Sequence, residues 1–176
     1  EIEKQNAEAG PSARQIELDA LASQLTPLQL QMNEIPSDGH CLYRAVAAQL
    51  RDGRSYTEIR NMCATMLEAE EQEFSPFAEL TEDVSTFAMY VDRVRNSSDW
   101  GGHLELRALH QALKRSIVVY SAVQPKLVLG EDDGGGDPIR LSYHLHYYSL
   151  GEHYNQVVAA SDGEEVTKEK VQPGDG

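Results

Sequence analysis

Cysteine is scarce: only Cys41 and Cys63 occur in 176 residues. Two cysteines close at most one bridge, so a disulfide-stapled scaffold is excluded as the source of stability, and the usage suits a reducing interior. Basic side chains are also few, 15 Lys and Arg against 29 Asp and Glu, for a formal net charge of −14. Nucleic acid and anionic membrane both demand a basic surface, so neither is expected as the main partner. A partner with a basic face is expected instead. No apolar run approaches the roughly 20 residues that span a bilayer, and no secretory leader is visible. The chain opens on Glu1 rather than Met, which reads as a piece of a longer protein from which a leader could have been lost. There is one tryptophan, Trp100, followed by Gly101 and Gly102. Burial is the first expectation for it, because Trp is highly buried on average, and the lining of a narrow groove is the second.

What is present is ordinary globular composition, 40% apolar and 25% charged, in a chain long enough for one domain with a sizeable core. Residues 1–11 are polar and read as disordered. Residues 12–25 carry Ile16, Leu18, Leu21, Ala22 and Leu25 at helical spacing, and Thr26 with Pro27 suits a second helix start. This part, residues 1–32, reads as a helical arm, or simply as packing onto the domain of residues 33–160. Helices are expected from Cys41, from the capping box of Ser55 and Glu58, from Ser75, over 81–94 with Val84, Phe87, Ala88, Val91 and Val94 inward, and over 103–114. The acidic run Glu68, Glu70, Glu71 and Glu73 reads as a solvated face. Strands follow at 116–121, 126–129, 138–143, 145–148 and 155–159. The glycine- and acid-rich stretch 130–137 is expected to be a mobile hairpin loop, with calcium binding the less favoured reading, and 161–176 a disordered tail. Helices first and strands later imply an α/β or α+β layered domain.

The chemistry-bearing residues lie at the two ends of that domain. Asp38 and Gly39 are turn formers. From Cys41 onward, Leu42, Ala45, Val46, Gln49 and Leu50 repeat with helical spacing. Cys41 is therefore expected at a helix N-terminus, where unsatisfied N–H groups and the helix dipole favour a thiolate and lower its pKa from about 8.5 toward neutrality. Gly39 has no Cβ, so its N–H can approach a reacting carbonyl oxygen. The plain alternative is a small buried thiol. That plain reading is the one expected for Cys63, which shares an apolar helix face with Ile59, Met62, Met66 and Leu67. More than a hundred residues later, His153 falls in a predicted turn between strands, and Asn155 opens the second strand. Side chains two apart in extended backbone point the same way, so Asn155 can hold the orientation and tautomer of His153. Asp38 is a second candidate for that role, or it pins the Cys41 loop by accepting backbone N–H bonds. A thiol, a base and an orienting group are what thiol acyl transfer requires. A metal site of His144, His146 and His153, with or without Cys41, is the competing chemistry, and a polar sheet face is the plain reading of the first two. His103 and His110 read as surface or packing residues on a helix.

Asp38, Gly39, His40, Cys41, Leu42, Tyr43 and Arg44 early, Trp100, Gly101 and Gly102 between, and Glu152, His153, Tyr154 and Asn155 late resemble the ovarian-tumour (OTU) family of cysteine proteases, which remove ubiquitin. The resemblance covers about residues 33–160. It implies a small central mixed sheet between helical layers, Cys41 as nucleophile, His153 as general base, and no metal or other cofactor. Asp38 occupies the family's aspartate position before the cysteine, and Asn155 the place where some members carry an acidic third residue. Many members have Asn where this chain has His40. Its backbone, with those of Gly39 and Cys41, would serve the oxyanion, so the change is not read as inactivating. Trp100, Gly101 and Glu152 would line a channel narrow enough to admit only the diglycine end of ubiquitin's Leu-Arg-Gly-Gly tail. The implied partners are ubiquitin, polyubiquitin chains and ubiquitinated proteins, met by an intracellular, cytoplasmic monomer. A catalytically silent ubiquitin-binding module of the same fold is the alternative.

Overall fold

The computed structural model describes residues 12–130, 136–148 and 151–160. Its first element, helix α1 (Ala13–Leu25), starts where Ser12 Oγ accepts the N–H of Gln15. A 3₁₀ turn, Thr26–Leu28, ends at Gln29 in the left-handed region. The chain then enters strand β1 (Leu30–Asn33). Four α-helices separated by polar turns follow: α2 (Cys41–Leu50), α3 (Tyr56–Ala69), the single turn α4 (Glu71–Phe74), and α5 (Phe87–Asn96). Helix α6 (His103–Leu113) closes the helical part, and strands β2 (Ile117–Ser121), β3 (Leu127–Leu129), β4 (Ile139–Tyr148) and β5 (Gly151–Ala159) complete the chain. Among the described residues no helix is long and apolar enough to cross a membrane.

The sheet order is β1-β5-β4-β2-β3, antiparallel except for the parallel β2–β4 pair. Alternation along the strands gives each face its own core. Ile117, Val119, Ile139, Leu141 and Tyr154 join the large core built with α2–α6, where Leu42, Val46, Ile59, Leu67, Leu106 and Leu109 are buried. Val118, Tyr120 and Val157 face the other way, onto Leu21 and Leu25 of α1. The expected mixed sheet between helical layers is the architecture observed.

Several elements differ from expectation for local reasons. Residues 30–33 form the sheet edge on β5, so the division at residue 33 falls inside a strand. In α1 only Leu21 and Leu25 of the expected apolar face are buried; Ile16 is exposed, and Glu17 is the buried residue of the first turns. The helix expected over 81–94 begins only at Phe87, because Thr81 Oγ1 takes the Val84 N–H in a turn and Thr86 caps Met89. Ala88 is exposed on that helix, while Phe87, Val91 and Val94 are buried. The two strands expected over 138–148 are one. The Ser55–Glu58 capping box is formed on both sides, and Cys63 is buried in the large core with no exposure. The ends expected to be disordered and most of the acidic loop named above lie outside the described residues.

Candidate active site

Asp38 builds the loop that presents Cys41. Its Oδ1 accepts the His40 N–H at 2.9 Å, its backbone carbonyl accepts the Cys41 N–H at 3.2 Å, and its carboxylate pairs with Arg44 at 3.0 Å. This is the pinning role foreseen for it. It also means that the His40 and Cys41 N–H groups are already engaged within the loop, so the donors expected to face an oxyanion are not aimed outward together. The Gly39 carbonyl and the His40 ring are held from below by Arg60, whose guanidinium reaches them at 3.0 and 2.9 Å. Gly39 is a glycine for a further reason: a Cβ there would collide with the Ser98 carbonyl. Gly101 is buried against Leu42 and Tyr43 in the same way. The Cys41 loop and the 96–102 loop are thus in backbone contact.

Cys41 begins α2, as expected, and is 2% exposed. The backbone of Tyr154 hydrogen-bonds its sulfur, which brings the thiol to the residue that follows His153. The lowered thiol pKa expected from the helix terminus is not what the structure gives. Burial pushes the Cys41 thiol up, and the backbone bonds from Tyr154 and Leu42 only partly offset that. Burial likewise pushes the His153 imidazole down, against the bond from Asn155. The resting pair is a neutral thiol and a neutral imidazole. Alkylation of Cys41 by iodoacetamide should therefore keep accelerating as pH rises through 9, since thiolate is the reacting form. A plateau reached below pH 7 would indicate a pre-formed thiolate–imidazolium pair instead.

His153 lies within β5 rather than in the preceding turn, fully buried, and Asn155 shares its face of the sheet. Asn155 Oδ1 accepts the backbone N–H of Ile35 at 2.9 Å and stands 2.7 Å from His153 Nε2. A backbone N–H can only donate, so the oxygen's position is fixed and Nε2 must carry the imidazole proton. The lone pair of neutral His153 is then on Nδ1. The same amide ties the approach to the Cys41 loop to the histidine strand, 120 residues away in sequence.

The remaining expected site residues lie to one side. Trp100 is 38% exposed rather than in the core. With Gly101, Gly102, Tyr90, Arg107 and Glu152 it lines a groove of about 530 Å³. A smaller groove of about 240 Å³ runs along Gly102, Tyr143, Glu152 and Tyr154. Glu152 is exposed and hydrogen-bonded to the Tyr143 hydroxyl. Of the three histidines weighed as metal ligands, His146 is exposed while His144 and His153 are buried with ring centroids 6.0 Å apart. Two residues not expected in a thiol site enter it: Arg60, and His144, considered only as a metal ligand or part of a polar sheet face, whose Nε2 is 3.4 Å from Asn155 Nδ2. The pairing of two strands would have revealed His144, because it lies directly across from His153.

Comparison with known proteins returns the same two ends of the domain. The OTU-like cysteine protease family matches residues 36–154. Deubiquitinase OTUD6B from Gallus gallus is 40% identical over 158 residues, covering 85% of this chain and 52% of that protein. OTU domain-containing protein 6A from Mus musculus is 36% identical over 157 residues, covering 86% and 53%. The chain thus spans about half the length of the curated relatives it matches. The solved OTU domain of OTUD1 superposes with a TM-score of 0.68 at 25% identity, over 82% of this chain and 96% of that one.

Proposed function

Because the chain belongs to the OTU-like cysteine protease family, we propose that its 33–160 region hydrolyses isopeptide bonds at the C-terminal glycine of ubiquitin, on modified proteins or in polyubiquitin chains. One observation carries the reading. The Asn155 amide, oriented by the Ile35 N–H, holds the neutral His153 ring with its lone pair on Nδ1, and the neighbouring Tyr154 backbone bonds the Cys41 thiol. A thiol, a base of defined tautomer and an orienting amide are what acyl transfer to sulfur needs. The likeness to proteins named deubiquitinases supplies the substrate class.

In the proposed reaction His153 Nδ1 takes the Cys41 proton as sulfur attacks the glycine carbonyl. Nδ1 then returns that proton to the departing lysine amine, leaving a thioester. Water, deprotonated at the same nitrogen, cleaves the thioester and restores the thiol. The oxyanion would be met by the backbone of residues 39–41 once substrate loosens the hold of Asp38 on the His40 and Cys41 N–H groups. Asn155 is the orienting third member. Asp38 is assigned to the shape of the loop, and Trp100, Gly101 and Glu152 to the walls of the tail channel. No metal or cofactor enters the scheme, and the working unit is a monomer inside the cell.

The test is intact-mass analysis after incubation with ubiquitin bearing a C-terminal thiol-reactive group, followed by peptide mapping. One adduct, mapped to Cys41 and not to Cys63, is the expected result. Ubiquitin binding without any adduct would establish the silent binding module in its place.

A further inference from the structure

Helix α1 lies outside residues 36–154, yet it delivers a carboxylate to the underside of the proposed site. Glu17 is 5% exposed. Its Oε2 accepts the backbone N–H of Leu145 at 2.8 Å and its Oε1 that of His146 at 3.0 Å. These are the N–H groups at the point where β4 and β5 lose register, between His144 and Tyr148. The same Oε1 lies 3.9 Å from His144 Nδ1. His144 is fully buried and faces His153 across the strand pair.

Donor and acceptor identities then run in one direction. Ile35 fixes Asn155 Oδ1 as acceptor, so Nδ2 is a donor, and the atom it meets is His144 Nε2 at 3.4 Å. Ser142 Oγ approaches that nitrogen at 2.8 Å. A ring nitrogen that receives an amide N–H holds a lone pair, so neutral His144 carries its proton on Nδ1, toward Glu17. We propose that Glu17 and His144 are positioning residues for the thiol reaction: Glu17 sets the tautomer of His144, His144 sets the amide of Asn155, and Asn155 sets the tautomer of His153. An Asn155 amide turned over would present N–H₂ to His153 Nε2 and drive the ring proton to Nδ1, the nitrogen that must accept the thiol proton. The outer pair selects against that state. Burial keeps His144 neutral, with its pKa pushed down to about 4, and Arg14, one turn before Glu17, acts in the same sense.

This inference rests on the proposed hydrolysis, and its test separates the two. Wild type, Glu17→Gln, His144→Leu and His144→Gln are compared for kcat and KM on a ubiquitin substrate, for melting temperature, and for ring ¹⁵N shifts of His144 and His153. A loss in kcat of roughly 10- to 100-fold, the size that follows removal of an outer partner of a metal-bound histidine, is expected for His144→Leu, with KM little changed and His153 no longer wholly in its Nε2–H form. Glu17→Gln should lower kcat less and mix the tautomers of His144. His144→Gln, whose Oε1 can accept the Asn155 amide, should recover most of the kcat lost in His144→Leu. Activity that follows melting temperature alone across the set would overturn the inference, as would a wild-type His144 carrying its proton on Nε2. If the wild-type chain fails to react with the ubiquitin probe, the hydrolysis reading falls. The ring shifts then still decide the relay, since an unaltered His153 tautomer in His144→Leu rejects it.

Discussion

Cys41→Ala and His153→Gln are each expected to lower turnover of a ubiquitin-linked substrate by about 10⁴-fold or more, and the double variant is expected to lose no more than either. A nucleophile and its base act as one unit: without Cys41 the proton relay has nothing to activate, and without Nδ1 the buried thiol stays protonated. The second point is sharper here than in sites with a pre-formed ion pair, because burial raises the Cys41 thiol and lowers the His153 imidazole. Deprotonation has to come from a positioned base during the reaction. Glutamine is chosen at 153 because its amide N–H₂ can still donate to Asn155 Oδ1, leaving the bond to Ile35 and the sheet undisturbed. Alanine at 41 removes a sulfur that is 2% exposed among apolar neighbours, a change of about 1 kcal/mol at most by lost transfer of one small group. Steady-state kinetics with matched melting curves would check both statements. Losses that simply add in the double variant would mean that the two residues do not share a step.

The proposed pair is more legible in the sequence than the residues around it. Helical periodicity after Cys41 and turn chemistry before it are local signals, and the loop obeys them. The common face of His153 and Asn155 follows from any extended backbone, so it holds although His153 lies in β5 rather than in the expected turn. Glu17 is not legible because the apolar spacing of Ile16, Leu18, Leu21 and Leu25 predicts a helix with its carboxylates outward. What draws Glu17 inward is a pair of N–H groups in β4, 128 and 129 residues away, orphaned by a register shift that no local pattern announces. Strand β1 is illegible for a related reason. Leu30, Gln31, Met32 and Asn33 have little β preference of their own and are held extended by β5. The thiol pKa departs from expectation because a helix terminus is visible in sequence and burial is not. Trp100 sits exposed because the glycine after it, not the indole, makes the close packing with Leu42 and Tyr43.

Arg60→Met is the substitution expected to damage the fold and the site together. Arg60 is 2% exposed, and its fork gives hydrogen bonds to the carbonyls of Gly39, Val94 and Asp99 at 3.0, 2.8 and 2.6 Å and to His40 Nδ1 at 2.9 Å. Its plane lies over the Tyr43 ring, 4.2 Å from the centroid. One side chain thereby joins the Cys41 loop, the end of α5 and the loop before Trp100. Methionine fills much of the volume but leaves three carbonyls without that donor, and an unmet buried acceptor costs about 1–3 kcal/mol. A total near 3–5 kcal/mol, the range for breaking one side of a buried charged network, is the expected destabilisation. At about 2–4 °C per kcal/mol for a domain of this size, the melting temperature should fall by roughly 6–20 °C. The effect on turnover should outlast the effect on stability. At a temperature where the variant remains folded, release of the Gly39 carbonyl lets the start of α2 shift, and a displacement of about 1 Å at a reacting group costs on the order of 10²-fold. Arg60→Lys separates charge from geometry. An ammonium keeps the charge but cannot reach four acceptors on three elements, so lysine should recover little of the lost turnover. Gly39→Ala attacks the same junction from the opposite side, by driving a methyl into the Ser98 carbonyl, and should reproduce the loss of turnover with Arg60 intact. Full activity in a folded Arg60→Met variant would show that the clamp serves the fold alone and that Gly39 against Ser98 is enough to hold the nucleophile loop.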